Sequence, residues 1–115
     1  DDILHRYLQN KMQIWSISSK LDIETLFVWQ PVPTFGYEQS LHPFAVGGYG
    51  GHELTSEGYP VMDTMRKTRD LGENFLWAAN LHDGLDRPLY VDKIHYNSEF
   101  SQLLAKAVSK SFENQ

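Results

Sequence analysis

Leu89-Tyr90-Val91-Asp92-Lys93-Ile94-His95-Tyr96-Asn97 is the stretch on which the reading of this chain turns. Leu89 to Val91 is apolar and β-prone, and it ends in the carboxylate of Asp92. His95 follows three residues later, and Asn97 opens an amphipathic pattern. The pattern predicts a strand at 89–91, then a helix over about 98–112. Phe100, Leu103, Leu104, Ala107, Val108 and Phe112 would share one face of that helix. Asn97 suits its N-cap, Glu99 its positive end, and Lys106 and Lys110 its negative end. A strand end that delivers Asp and His to a cleft supplies the base half of a hydrolytic triad. Histidine titrates near neutral pH, and a carboxylate sets its tautomer and stabilises its charged form.

Outward from this stretch the chain alternates helical and strand-like segments. Residues 3–20 read as a helix, with Leu4, Tyr7, Leu8, Met12 and Trp15 at helical spacing. Thr25-Leu26-Phe27-Val28-Trp29-Gln30 is nearly continuous in apolar character and bounded by Pro31 and Pro33, as in a strand covered on both faces. Residues 31–58 hold three prolines and the run Gly47-Gly48-Tyr49-Gly50-Gly51. So long a connection reads as a binding loop or lid, with a flexible surface loop as the alternative. Its aromatics include Phe35, Tyr37, Phe44 and Tyr49. Pro60 suits the first turn of a helix over about 59–71, ended by Gly72. That helix would turn Val61, Met62 and Met65 inward and Arg66, Lys67 and Arg69 to solvent. Phe75-Leu76-Trp77-Ala78 is a short apolar run at a strand end, and His82-Asp83-Gly84 is a turn. Helix, strand, loop, helix, strand, helix is an α/β order. Ligands of such sheets bind beyond the carboxyl ends of the strands. Asp92 and His95 lie past one such end, and Gln30-Pro31-Val32-Pro33 past the other.

Composition narrows the partners. A length of 115 residues suits one domain or part of one. A formal charge of −5 and a pI near 5.4 argue against nucleic acid or an anionic membrane as the main partner. No apolar run approaches the roughly 20 residues that span a bilayer. Asp1-Asp2 leads straight into the first helical pattern with no initiating Met, which reads as a processed or excised piece. Cysteine is absent, so disulfides, Cys nucleophiles and thiolate metal sites are excluded, while the compartment stays open. His42, His52, Glu53, His82 and Asp83 are loose candidate metal ligands, but no two histidines have the i, i+4 helical spacing. The glycine run lacks the Lys-Ser/Thr of a phosphate loop, so neither metal nor cofactor is expected.

Asp-x-x-His alone is weak: 8 Asp and 5 His in 115 positions give roughly 0.3 chance matches. Asp2-Ile3-Leu4-His5 fits the same spacing at the start of a helix, where it reads as solvated surface. Context separates the two. On the residues alone, Asp92 and His95 form either a catalytic pair or a structural contact capping the last helix.

Tyr90-Val91-Asp92-Lys93-Ile94-His95-Tyr96-Asn97, with Phe100 and Leu104-Ala105, resembles the last block of SGNH (GDSL-type) hydrolases. Thr25 to Pro33 is similar to that family's fourth strand and the loop leaving it. The resemblance implies an α/β, flavodoxin-like three-layer parallel sheet, of which residues 1–115 would be the C-terminal portion, a single partial domain. It implies an ester hydrolase of esterase or deacetylase type, in which Asp92 orients His95 and His95 deprotonates a serine. Gln30, Pro31, Val32, Pro33, Phe35 and Tyr37 would then contact an acyl or acetyl ester substrate.

The family's nucleophile block, G-D-S, and its oxyanion block, G-x-N-D, do not occur in these residues. None of the serines has G-D-S or G-x-S-x-G surroundings. The resemblance therefore implies a serine from outside this sequence, and at most weak catalysis by the chain alone. It also implies that the strand at 25–30 lacks a neighbour. That edge should pair with the missing N-terminal half or with a second copy. The alternative is a non-catalytic α/β interaction or remnant domain.

Overall fold

Two aromatic-rich triplets, Phe27-Val28-Trp29 (β1) and Phe75-Leu76-Trp77 (β2), pair in parallel in the computed structural model, which describes residues 2–114. Phe27 faces Phe75, Val28 faces Leu76, and Trp29 faces Trp77. The elements run α1 (Asp2–Lys20), β1, a single 3-10 turn (Gln39–Leu41), α2 (Thr55–Thr68), β2 and α3 (Ser98–Glu113). The chain is thus mixed α/β, with two sheet strands among the described residues. Asp1 lies outside those residues, as does Gln115.

The parallel register places like side chains side by side, and this builds the first of two cores. Trp29 and Trp77 stack with centroids 6.4 Å apart. Tyr59 of α2 leans on Trp29 at 5.3 Å, and Tyr7 of α1 meets Trp29 edge-on at 4.9 Å. Phe35 closes the layer against Tyr59 and Trp77. Such pairs contribute about 0.5–1.5 kcal/mol each beyond area burial.

The second core joins the long loop to α3. Tyr37, Leu89, Tyr90 and Phe100 are buried together, with Leu41, Leu81, Leu85, Tyr96 and Leu103 against them. His82 is buried beside them, its ring 5.7 Å from that of Phe100. Its Nε2 lies 2.7 Å from the Phe35 carbonyl, so that nitrogen carries the proton and donates it. Gly36 makes this approach possible. It has φ +70°, and a Cβ there would lie 3.0 Å from Asp83 Oδ1 and 3.4 Å from His82 Nε2.

Several sequence-based boundaries shift. The expected strand at 89–91 is not in the sheet; Tyr90 instead makes an isolated antiparallel bridge with Tyr96. The backbone of this segment is taken up by its own continuation, Val91 N–H donating to the His95 carbonyl and the Leu89 carbonyl accepting from Asn97 N–H. Val91 is 54% exposed as a result. The short run at 75–77, read as a strand end, is the second sheet strand. β1 is half-buried throughout, not covered on both faces. The helix expected from 59 starts at Thr55, so Pro60 sits at its sixth position. Tyr59 and Met62 face inward there, whereas Val61 is exposed. Arg66, expected to be solvated, lies over the Trp77 ring at 4.5 Å and pairs with Asp63. In α1, Met12 and Trp15, at helical spacing with Leu4, are 61% and 54% exposed. The helix turns Leu4 and Ser18 inward, and Met12 and Trp15 border an open groove with residues 70–74.

Burial lowers the pKa of His82 below its ordinary 6.5, against a smaller opposing effect of the Phe35 hydrogen bond. The unfolded chain therefore takes up this proton first as pH falls. The stability from a neutral His82 is complete above about pH 6.5 and is lost as pH drops through the lower folded value. Urea midpoints should fall between pH 7.5 and pH 5. His82→Gln, which keeps a donor for Phe35 but cannot charge, should flatten that fall. An unchanged slope in the variant would assign the acid sensitivity elsewhere.

Candidate functional site

Residues 89–97 form a closed loop whose backbone bonds to itself. Val91 N–H donates to the His95 carbonyl at 2.9 Å, and Asn97 N–H donates to the Leu89 carbonyl at 2.8 Å. The Asn97 side chain then accepts from Phe100 N–H at 2.9 Å and caps α3. Such a cap is worth about 1 kcal/mol. Tyr37 fixes the entry to the loop: its hydroxyl donates to the Arg87 carbonyl and accepts from Leu89 N–H. The loop is tied at both ends before any functional side chain is considered.

Within it, Asp92 is the organising residue. Its Oδ1 accepts from Ile94 N–H at 2.9 Å and from His95 N–H at 2.7 Å. Its Oδ2 lies 2.6 Å from His95 Nδ1. These donors hold its carboxyl at about 2 against an ordinary 3.8, the backbone N–H of His95 acting most strongly. Asp92 is therefore ionised at neutral pH, and a neutral His95 ring carries its proton on Nδ1, where the carboxylate accepts it. His95 Nε2 is bonded to no group among the described residues and can accept a proton. The pair stands at the surface, with side chains 72% (His95) and 51% (Asp92) exposed. Asp2 and His5, the other pair at this spacing, sit exposed in the first turns of α1.

His95 lines a cleft of about 300 Å³. Gln30, Pro31, Val32, Pro33 and Thr34, leaving β1, form one wall; Ile94, His95 and Tyr96 form another; His52, Thr55 and Tyr59 complete it. Two tyrosines tie the walls together, Tyr59 donating to the Gln30 carbonyl at 2.8 Å and Tyr96 to the Pro31 carbonyl at 2.5 Å. Of the six candidate contact residues, four line this cleft. Phe35 is instead in the aromatic layer, and Tyr37 is in the second core. His52, Thr34, Thr55, Tyr59, Ile94 and Tyr96 were missed. Only the adjacency of Ile94 and Tyr96 to His95 and of Thr34 to Pro33 offered a local signal for any of them.

The lining hydroxyls are already engaged. Thr55 donates to the His52 carbonyl at 2.6 Å, which leaves Thr34 to donate to Thr55 Oγ1 at 2.5 Å. The protons of Tyr59 and Tyr96 go to Gln30 and Pro31. Among the described residues no serine lines the cleft. The arrangement can take up and release a proton at His95, but it presents no free hydroxyl for that proton to come from.

The remaining histidines do not assemble a metal centre: among the described residues no group of three or more His, Cys, Asp or Glu is placed to hold an ion. Among the described residues no helix is long and apolar enough to cross a membrane. Comparison with protein-family models, curated proteins and solved structures gave no match.

The Asp92 carboxyl should titrate near 2 when followed by carbon NMR. Its contribution to stability is complete above pH 3.8 and lost as pH falls toward 2. In His95→Ala the midpoint should rise only part of the way to 3.8, because the two backbone donors remain. A full return to 3.8 would mean that the ring, and not the turn, holds the carboxylate.

Proposed function

We propose that this chain carries the base half of a serine-dependent carboxylic ester hydrolase of the SGNH type. In this reading Asp92 orients His95, and His95 deprotonates a serine supplied from outside these residues. One observation carries it: the 2.6 Å contact between His95 Nδ1 and an ionised Asp92, at the mouth of a cleft. That contact leaves Nε2 as the basic nitrogen, the division of labour a Ser-His-Asp triad requires. Gln30 to Pro33 are the substrate-side wall, and the substrate class is an acyl or acetyl ester.

The same reading makes β1 and β2 part of a larger, flavodoxin-like three-layer sheet. Three features of the β1 edge support it. In the parallel pair, Phe27 N–H donates to Asn74 and Ala78 N–H to Trp29, so Val28 turns its N–H and C=O to the opposite edge. No strand among the described residues pairs there. Beside it runs an apolar groove of about 640 Å³, lined by Ile3, Leu4, Tyr7, Val28, Leu54 and Val61 among others. The buried Trp29 Nε1 and Tyr7 hydroxyl have no hydrogen-bond partner. A strand from the missing N-terminal half, or from a second copy, would meet these groups. The groove shares Gln30, Thr55 and Tyr59 with the cleft, so such a strand would run toward His95.

A fluorophosphonate probe tests the function. The 115-residue chain alone should not label, whereas a chain extended at its N-terminus should label on a serine. His95→Ala in the extended chain should slow labelling by about 10⁴-fold. No labelling in either form would favour a non-catalytic α/β domain.

A further inference from the structure

His42 lies in the long loop, far in sequence from the Asp92–His95 turn, yet it contacts that turn directly. It is 4% exposed, one of two buried histidines among the described residues. Its Nε2 lies 3.1 Å from the carbonyl of Lys93, the residue that follows Asp92. A carbonyl only accepts, so Nε2 carries the proton and donates it. Its Nδ1 accepts from Phe44 N–H at 3.3 Å, which keeps that nitrogen bare and the ring orientation fixed. The ring also stacks on Tyr90, with centroids 5.1 Å apart and planes 6° from parallel. Tyr90 bridges to Tyr96, on the far side of the turn. One side chain thus grips the outer peptide of the turn and packs on its base.

We propose that His42 is a positioning residue for the Asp92–His95 pair, acting through its hydrogen bond to the Lys93 carbonyl. The proposal rests on the functional reading of that pair, but its content is geometric. The Asp92 carboxylate is held mainly by the N–H groups of Ile94 and His95. Those groups reach Oδ1 only while the peptide planes of residues 93 to 95 keep their orientation. The Lys93 carbonyl belongs to the same peptide unit as Ile94 N–H, so fixing one end of that plane aims the other. The two ends face opposite ways: the carbonyl toward His42, the N–H toward Asp92. His42 is therefore a brace for the base, contributed by a part of the long loop that does not line the cleft.

Two substitutions separate the hydrogen bond from packing. His42→Phe keeps an aromatic ring on Tyr90 and removes the donor. His42→Gln keeps an N–H donor of similar reach and removes the ring. The readout is the Asp92 carboxyl midpoint, which a packing role elsewhere in the core would not move. His42→Phe should raise it by at least half a pH unit from about 2, and His42→Gln should leave it near the wild-type value. A midpoint unchanged in a folded His42→Phe, or raised equally in both variants, would overturn the proposal. If the Phe variant does not fold, the wild-type protein still decides. A through-hydrogen-bond coupling between His42 Nε2 and the Lys93 carbonyl carbon should be present, and its absence overturns the assignment. None of these readouts uses activity, so a failed labelling experiment and a failed brace remain distinguishable.

Discussion

Two backbone hydrogen bonds, from Val91 to His95 and from Asn97 to Leu89, close the loop on which the site depends. They bring Tyr90 opposite Tyr96 and force the chain to reverse across residues 92–95. Asp92 completes the reversal by accepting both N–H groups at the tip. The carboxylate therefore has two uses in one geometry. It satisfies backbone donors that an exposed tight turn leaves over, and it faces the ring of His95. The turn and the acid–base pair are one structure, and the helix that follows starts from the same Asn97.

This economy explains why the pair was legible in the sequence. An Asp that caps a turn bonds the N–H groups two and three residues on, so in a turn, unlike in the helix that holds Asp2 and His5, the i, i+3 spacing brings Asp92 and His95 together. The helix after it was legible for a similar reason, since Asn97 and the apolar period from Phe100 agree locally. The long-range part was not. His42 and His52 looked like loose polar residues in an irregular loop, and nothing local tells that one reaches Lys93 and the other the cleft. The resemblance made Tyr37 a substrate contact. Its place in the core depends on meeting Leu89, 52 residues away.

The strand expected at 25–30 contains β1, whereas the one expected at 89–91 is not in the sheet. Apolar period identifies a strand-like run but not its partner, and a triplet such as Phe75–Trp77 carries too few residues to show a period. Leu89–Val91 is equally short and apolar but is taken up by the loop it enters. In α1 the spacing puts Met12 and Trp15 on a stripe with Leu4, yet both are exposed. A helix pattern states which residues share a face, and tertiary packing decides whether that face is covered. Around Met12 and Trp15, as along the outer edge of β1, apolar surface stays open among the described residues.

Asp92 holds His95 with its proton on Nδ1, leaving Nε2 free to accept one. Nitrogen NMR of the His95 ring, at a pH where the ring is neutral, tests it most directly. The ring should be a single tautomer protonated at Nδ1, lost in Asp92→Asn. A ring protonated at Nε2, or one averaging between tautomers as free imidazole does, would contradict it.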